Sequence, residues 1–151
     1  MPKVFNVILN SNNKIEGGTN GNATYNFDWS VLPVGKYKVT FSLVANKNTL
    51  TGNRTASVFV DLGQRACFTT SSTRTSAQTT RFLGFLFYFS GQYLLSPSNI
   101  NPPIYLDDNP NNNQFSVQIL DGTGAIWLDD ALPTPKQIGD YILNLNLETM
   151  E

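Results

Sequence analysis

Hydrophobic and polar residues alternate along most of the chain, and no stretch keeps a helical period. The two clearest cases are residues 37–43 and 140–148, where every second residue is apolar or aromatic. The residues that share a face in these two segments are Tyr37, Val39, Phe41, Leu43, Tyr141, Leu143, Leu145 and Leu147. A period of two predicts strands that bury one face and leave the other polar.

Shorter segments repeat this pattern between turn-forming residues. Strands are predicted at residues 3–10, 23–29, 56–62, 104–106, 115–119 and 125–128. Tyr25, Phe27 and Trp29 fall on one side of the second of these strands. Asn, Gly and Pro predict the intervening turns, including residues 32–35 and a hairpin turn at 121–124.

Three segments leave alternatives open. Residues 81–89 are apolar on both faces, which fits a central strand covered on both sides and equally a strand whose outer face meets another subunit. Residues 71–80 are rich in Ser and Thr and form either a loop or a weak edge strand. The strand at 56–62 either ends near Gly63 or continues through residues 66–68.

About eight strands with short connections predict an all-β, antiparallel β-sandwich. A single jelly roll is the specific prediction, because eight strands are its number and strong strands stand near both ends of the sequence. In this arrangement the first strand pairs with the last, which hides two otherwise exposed edges. An immunoglobulin-type sandwich is the runner-up, although the Cys…Trp…Cys pattern is missing.

Length and charge narrow the class of protein further. The chain has 151 residues, which predicts one domain over 1–151, and its net charge is only −1. Dispersed basic residues predict no nucleic-acid partner, whereas weak repulsion between copies favours self-association. The sequence opens on a strand pattern, which predicts no secretory signal. Its longest apolar run, residues 82–95, is interrupted by polar residues and predicts no membrane span.

The residue inventory predicts that the protein is not an enzyme. The chain has no His, the usual general base and commonest metal ligand, and one Cys, Cys67, which is expected to be a small buried filler. No catalytic, cofactor-binding or metal-binding residue is assigned, and no cofactor is expected. The alternative is calcium bound by Asp107-Asp108 or Asp129-Asp130 with Asn109 and residues 111–113, but solvated turns are favoured because the spaced calcium-loop pattern is missing.

Two tryptophans suggest a second function. Trp29 and Trp127 are the candidates for a sugar-stacking surface, as in a carbohydrate- or receptor-binding β-sandwich module. The alternation places Trp29 with Tyr25 and Phe27, so core packing is favoured for this residue.

Two stretches carry a resemblance to a known family. The first is GTNGNATYNFDWS at residues 18–30, followed by LPVGKY at 32–37. The second is NPPIYL at 101–106, followed by NNQFSVQI at 112–119. Together they resemble small single jelly-roll capsid proteins of large icosahedral DNA viruses of protists and algae, and of their virophages. These motifs are structural and transfer no chemical site.

The resemblance implies a virion component, either a penton at the fivefold vertices or another minor capsid protein beside double-jelly-roll major capsid subunits. The expected partners are other copies of the chain, in a pentamer or another ring, and the major capsid protein, with a host receptor as a further possibility. The expected localisation is the virion, after synthesis in the host cytoplasm. Residues 46–55, 71–80 and 100–113 are the predicted contact loops.

Overall fold

A computed structural model describes ten parts of the chain. They are residues 1–45, 54–62, 67–69, 77–79, 82–88, 94–95, 103–108, 110, 113–121 and 140–150. The strands within them are β1 (Val4–Asn10), β2 (Asn22–Asn26), β3 (Tyr37–Ala45), β4 (Arg54–Val60), β5 (Cys67–Thr69), β6 (Ala77–Thr79), β7 (Phe82–Tyr88), β8 (Leu94–Leu95), β9 (Ile104–Leu106), β10 (Gln114–Asp121) and β11 (Tyr141–Thr149). Two 3-10 helices, Ser11–Asn13 and Trp29–Val31, follow β1 and β2. None of the described helices is a candidate to span a membrane.

Eight of these strands form the sandwich. One layer has the order β1-β11-β3-β8, the other has the order β7-β4-β10-β2, and every pair is antiparallel. The short strand β8 pairs with both β3 and β7 and so joins the layers at one side. This is the jelly-roll order, and the predicted pairing of the first strand with the last is confirmed by β1 and β11.

Strand β11 lies between β1 and β3 for its full length. Leu143 is opposite Leu9 on one side and opposite Leu43 on the other, and all three side chains are buried. The neighbouring residue Ile142 points to the opposite face and is exposed, as the period of two requires. The alternation predicted for residues 37–43 and 140–148 is therefore confirmed.

The core fills the space between the two layers. Its contributors from the first layer include Val7, Val39 and Leu145, and those from the second include Val58 and Val117. The largest fully enclosed side chains among the described residues include Tyr37, Leu83, Leu86, Ile119, Leu143, Leu145, Leu147 and Val39. Burial of this apolar surface is the main favourable term that holds the layers together.

The predicted strand at 23–29 is wrong in its second half. Strand β2 ends at Asn26, and Trp29 begins a 3-10 helix. The cause is local: the Asp28 carboxylate accepts hydrogen bonds from the backbone N–H and the hydroxyl of Ser30, at 3.0 and 2.6 Å. This side-chain cap stabilises a turn in place of an extended chain, and the same bonds lower the pKa of Asp28.

Strand β7 answers the open question about residues 81–89 only in part. It pairs with β4 across a bulge at Leu83, which leaves Leu83 and Leu86 buried and Phe85 exposed on the other face. An exposed Phe85 rules out full coverage of both faces within the described chain, so the subunit-contact alternative stays open. Residues 77–79 form strand β6, which pairs with β5 in a separate two-stranded sheet.

Several predictions lie outside the described residues. They include the hairpin turn at 122–124, the strand at 125–128, Trp127, Asp129 and Asp130, the side chain of Cys67, and much of the three predicted contact loops. Strand β9 confirms the prediction for 104–106 and pairs with β3. Strand β8 was not predicted, because two residues are too few to show a period.

Candidate functional site

The sequence-predicted chemical residues do not come together in the described chain. Asp107 and Asp108 are both exposed, and the described residues contain no group of three or more His, Cys, Asp or Glu side chains that could hold a metal ion. Trp29 is 2% exposed, so its ring faces are not available to stack on a sugar. The core-packing interpretation of Trp29 is confirmed.

A polar cluster ties the beginning of the chain to its last strand. The Ser11 hydroxyl donates to Asp140 Oδ1 at 3.3 Å and accepts from the backbone N–H of Tyr141 at 3.1 Å. Asn20 Nδ2 donates to the same carboxylate oxygen at 3.5 Å. Because Ser11 has no exposed surface, a substrate cannot reach its hydroxyl. The cluster is therefore a structural connection between the loops that flank β1, β2 and β11.

A second polar contact crosses the core. The hydroxyls of Tyr25 on β2 and Tyr141 on β11 are hydrogen-bonded at 2.8 Å, which links the two layers. Burial raises the pKa of Tyr25 above its ordinary value of 10.0, and the bond to Tyr141 opposes this shift. This pair positions β2 against β11 across the core.

The raised pKa of Tyr25 gives a pH dependence of stability. Above pH 10 the unfolded chain loses the Tyr25 proton while the folded chain keeps it, so the stability that is present below pH 10 declines as the pH rises through the raised pKa. We expect Tyr25→Phe to flatten this alkaline decline. Denaturant unfolding at a series of pH values from neutral to above 10 measures it. An identical alkaline slope in the variant and the wild type would contradict the assignment.

The strongest candidate site is a surface, the side of the β1–β11–β3 sheet that points away from the core. We call it the outer face. Its residues lie in four cross-strand rows: Val4, Glu148, Lys38 and Tyr105; Asn6, Asn146 and Thr40; Ile8, Asn144 and Ser42; Asn10, Ile142 and Val44. Both end rows contain apolar side chains, one of them beside the charged pair Glu148 and Lys38, and the two middle rows are uncharged and mostly polar.

The middle of the outer face is held by asparagine amides. Asn6 Oδ1 accepts from Asn144 Nδ2 at 3.2 Å and from Asn146 Nδ2 at 3.3 Å, so one side chain of β1 joins two of β11. These bonds connect residues that are 138 and 140 positions apart. They fix three amides in place and give the face a fixed polar pattern.

One end of the outer face carries an apolar cluster formed by Ile8, Ile142 and Val44. Their exposed fractions are 64%, 44% and 43%. Ile142 is directly opposite Val44, and Ile8 lies one diagonal step away on β1. Because these side chains adjoin one another, they form one contiguous apolar patch and are not singly scattered exposed residues.

Shallow clefts lie at the two ends of the face. The cleft beside the apolar cluster measures about 190 Å³ and is lined by Asn10, Asn12, Val44, Ala45, Asp140, Tyr141 and Ile142. The other measures about 390 Å³ and is lined by Pro2, Lys38, Tyr105, Glu148, Thr149 and Met150. Lys38 and Glu148 are opposite each other, so their charges offset and the face is close to neutral. These features suit a protein surface of similar polarity better than a charged ligand.

Sequence reasoning predicted the strands of this surface but not the surface itself. The alternation in 3–10 and 140–148 indicated which residues point away from the core. It did not indicate that β1 lies in register with β11 so that Asn6 meets Asn144 and Asn146. The one available indication was the repeated Asn in the outward positions of the last strand.

The fold defines the class of protein as a jelly-roll β-sandwich. No protein-family model matches the chain, and no curated protein shows significant similarity to it. The function is therefore argued from the strand order and the outer face.

Proposed function

We propose that this protein is a structural component of an icosahedral virus capsid, a penton or another minor capsid protein, that acts by self-assembly and by contact with major capsid subunits. The observation that carries the proposal is the jelly-roll strand order, with β1 beside β11 in one layer and β2 beside β10 in the other. Jelly rolls serve in viral capsids and also in lectins and cupins, so the strand order supports the proposal without deciding it.

The surface chemistry supports assembly over ligand binding. The outer face is nearly neutral, its amides are held by Asn6, and it exposes the apolar cluster of Ile8, Ile142 and Val44. Phe85 adds an exposed aromatic ring on β7, in the other layer. Large apolar side chains displayed on rigid strands are what a repeated protein–protein contact needs.

The resemblance in residues 18–37 and 101–119 narrows the proposal from a jelly roll in general to a capsid protein. Part of the second stretch, residues 104–106, forms strand β9 beside β3, and the chain turns directly after it at residues 107–108. We propose that this turn, together with other loops at the ends of the sandwich, contacts neighbouring capsomers in the virion.

The test is the number of copies in the assembled protein. We expect native mass spectrometry of the full chain, over a range of concentrations, to find five copies or a multiple of five, because a closed ring needs one repeated head-to-tail contact. A monomer or a simple dimer at every concentration would overturn the penton assignment.

A further inference from the structure

The geometry points to a two-fold contact between copies of this chain, in which β1 pairs antiparallel with β1 of a second copy, centred on Asn6. This contact goes beyond the proposed function, because a two-fold pair is isologous and cannot by itself close a ring. It depends on three observations. The outer edge of β1 is uncovered among the described residues, the sequence of β1 suits pairing with itself, and the edge of β2 is covered by the preceding segment of the chain.

Strand β1 has a backbone edge that no other described strand covers. Thr149 donates its N–H to the carbonyl of Lys3 at 2.9 Å, which makes these two residues a hydrogen-bonded pair. Bonded and non-bonded pairs alternate in an antiparallel ladder, so the backbone groups of Val4, Asn6 and Ile8 point away from β11. None of the described residues hydrogen-bonds to these outward backbone groups. They form a template for another strand.

The edge strand of the second layer is covered, unlike β1. Strand β2 is the edge of the second layer, and its outward carbonyl at Thr24 accepts the N–H of Ile15 at 2.8 Å. A further bridge joins Thr19 to Asn22. The chain thus covers the edge of β2 with its own preceding segment, while β1 has no comparable cover among the described residues.

The sequence of β1 also lacks the usual protection of an exposed edge. From Val4 to Asn10 it contains no charged residue, no Pro and no Gly, the features that natural edge strands use to prevent pairing. Val4 and Ile8 are more than half exposed, so pairing would remove apolar surface from water.

The occupant is a second copy because β1 is close to palindromic around Asn6. Antiparallel pairing centred there sets Val4 opposite Ile8 of the other copy, Phe5 opposite Val7, and Asn6 opposite itself. The outward backbone groups of both strands then meet in register, since Val4, Asn6 and Ile8 all face the edge. A shift to a centre at Val7 would keep the backbone groups in register, but it would set the polar Asn6 opposite the apolar Ile8 and Val4 opposite Asn10.

A disulfide tests this register. In a Cys67→Ser background, which removes the one native thiol, we expect Asn6→Cys to form a disulfide-linked dimer under mild oxidation. Bonded antiparallel pairs have Cα atoms about 5.5 Å apart, within the range that a disulfide spans. Thr40→Cys in the same background is the matched control, because Thr40 is exposed in the same row of the outer face but lies two strands from the edge. Equal cross-linking at both positions, or none at position 6, would overturn the proposal.

A charge substitution tests the contact without a thiol. We expect Ile8→Lys to weaken dimerisation by about tenfold or more, because the two-fold axis repeats the lost contact with Val4. Val44→Lys is the control: it places the same charge within the apolar cluster but away from the edge. Analytical ultracentrifugation measures both. Loss of association in Val44→Lys and not in Ile8→Lys would show that two copies pack through the outer face and not through the edge of β1.

The two proposals fail separately. The disulfide at position 6 reports the two-fold contact whether or not a ring forms. Rings of five that show no disulfide would overturn the β1 contact and leave the capsid proposal standing. A disulfide-linked dimer without rings would support the β1 contact and overturn the penton assignment.

Discussion

Replacing Trp29 with alanine is expected to lower the free energy of unfolding by about 3–5 kcal/mol, as is usual for a large aromatic side chain removed from a core. Trp29 packs edge-on against Phe27, with ring centroids 4.8 Å apart, and tilted against Phe115 at 5.7 Å. Removal would leave a cavity beside these two rings and beneath the 3-10 helix that Asp28 caps. Denaturant unfolding followed by far-ultraviolet circular dichroism measures the loss.

Val31 is the matched control for Trp29. It belongs to the same 3-10 helix and is 67% exposed, so Val31→Ala is expected to change stability by no more than about 0.5 kcal/mol. The indole Nε1 of Trp29 has no hydrogen-bond partner in the described structure, so Trp29→Phe is expected to cost less than Trp29→Ala. A Trp29→Ala variant of unchanged stability would show that the ring is not part of the core.

Replacing Leu143 with alanine is expected to cost about 2–5 kcal/mol. Leu143 is fully buried on β11, between Leu9 and Leu43. Because neighbouring strands hold it on both sides, the backbone cannot easily collapse into the gap. Thermal or denaturant unfolding of the variant measures the effect.

The adjacent residue, Ile142, is the control for Leu143→Ala. Ile142 is 44% exposed on the outer face, and Ile142→Ala is expected to cost about 1 kcal/mol or less through lost strand propensity and surface packing. A larger cost at Ile142 than at Leu143 would mean that β11 turns its other face to the core, which would reverse the outer face and the inner face.

These substitutions separate what the sequence could predict from what it could not. The two faces of β11 were readable because alternation is a property of the backbone and needs no partner. The pairing of β1 with β11 was also predictable, since a jelly roll closes its first strand against its last. The turn at Trp29 was not, because a hydrogen bond from Ser30 to Asp28 overrode an otherwise regular pattern.

The outer face was likewise predictable from the sequence only in part. The outward positions of β1 and β11 follow from alternation, but the contact of Asn6 with Asn144 and Asn146 depends on register between distant segments. Register is set by the whole sheet and cannot be read from either strand alone. The edge position of β1 among the described strands likewise becomes evident only when the neighbours of each of these strands are known.

Self-assembly is the claim on which the function rests, and electron microscopy of the purified full-length protein tests it. We expect class averages of closed rings with fivefold symmetry. Each copy in the ring is one jelly roll, and the loops at the ends of the sandwich form the contacts. A field of dispersed single copies or isolated pairs at high protein concentration would contradict a structural role at the capsid vertex.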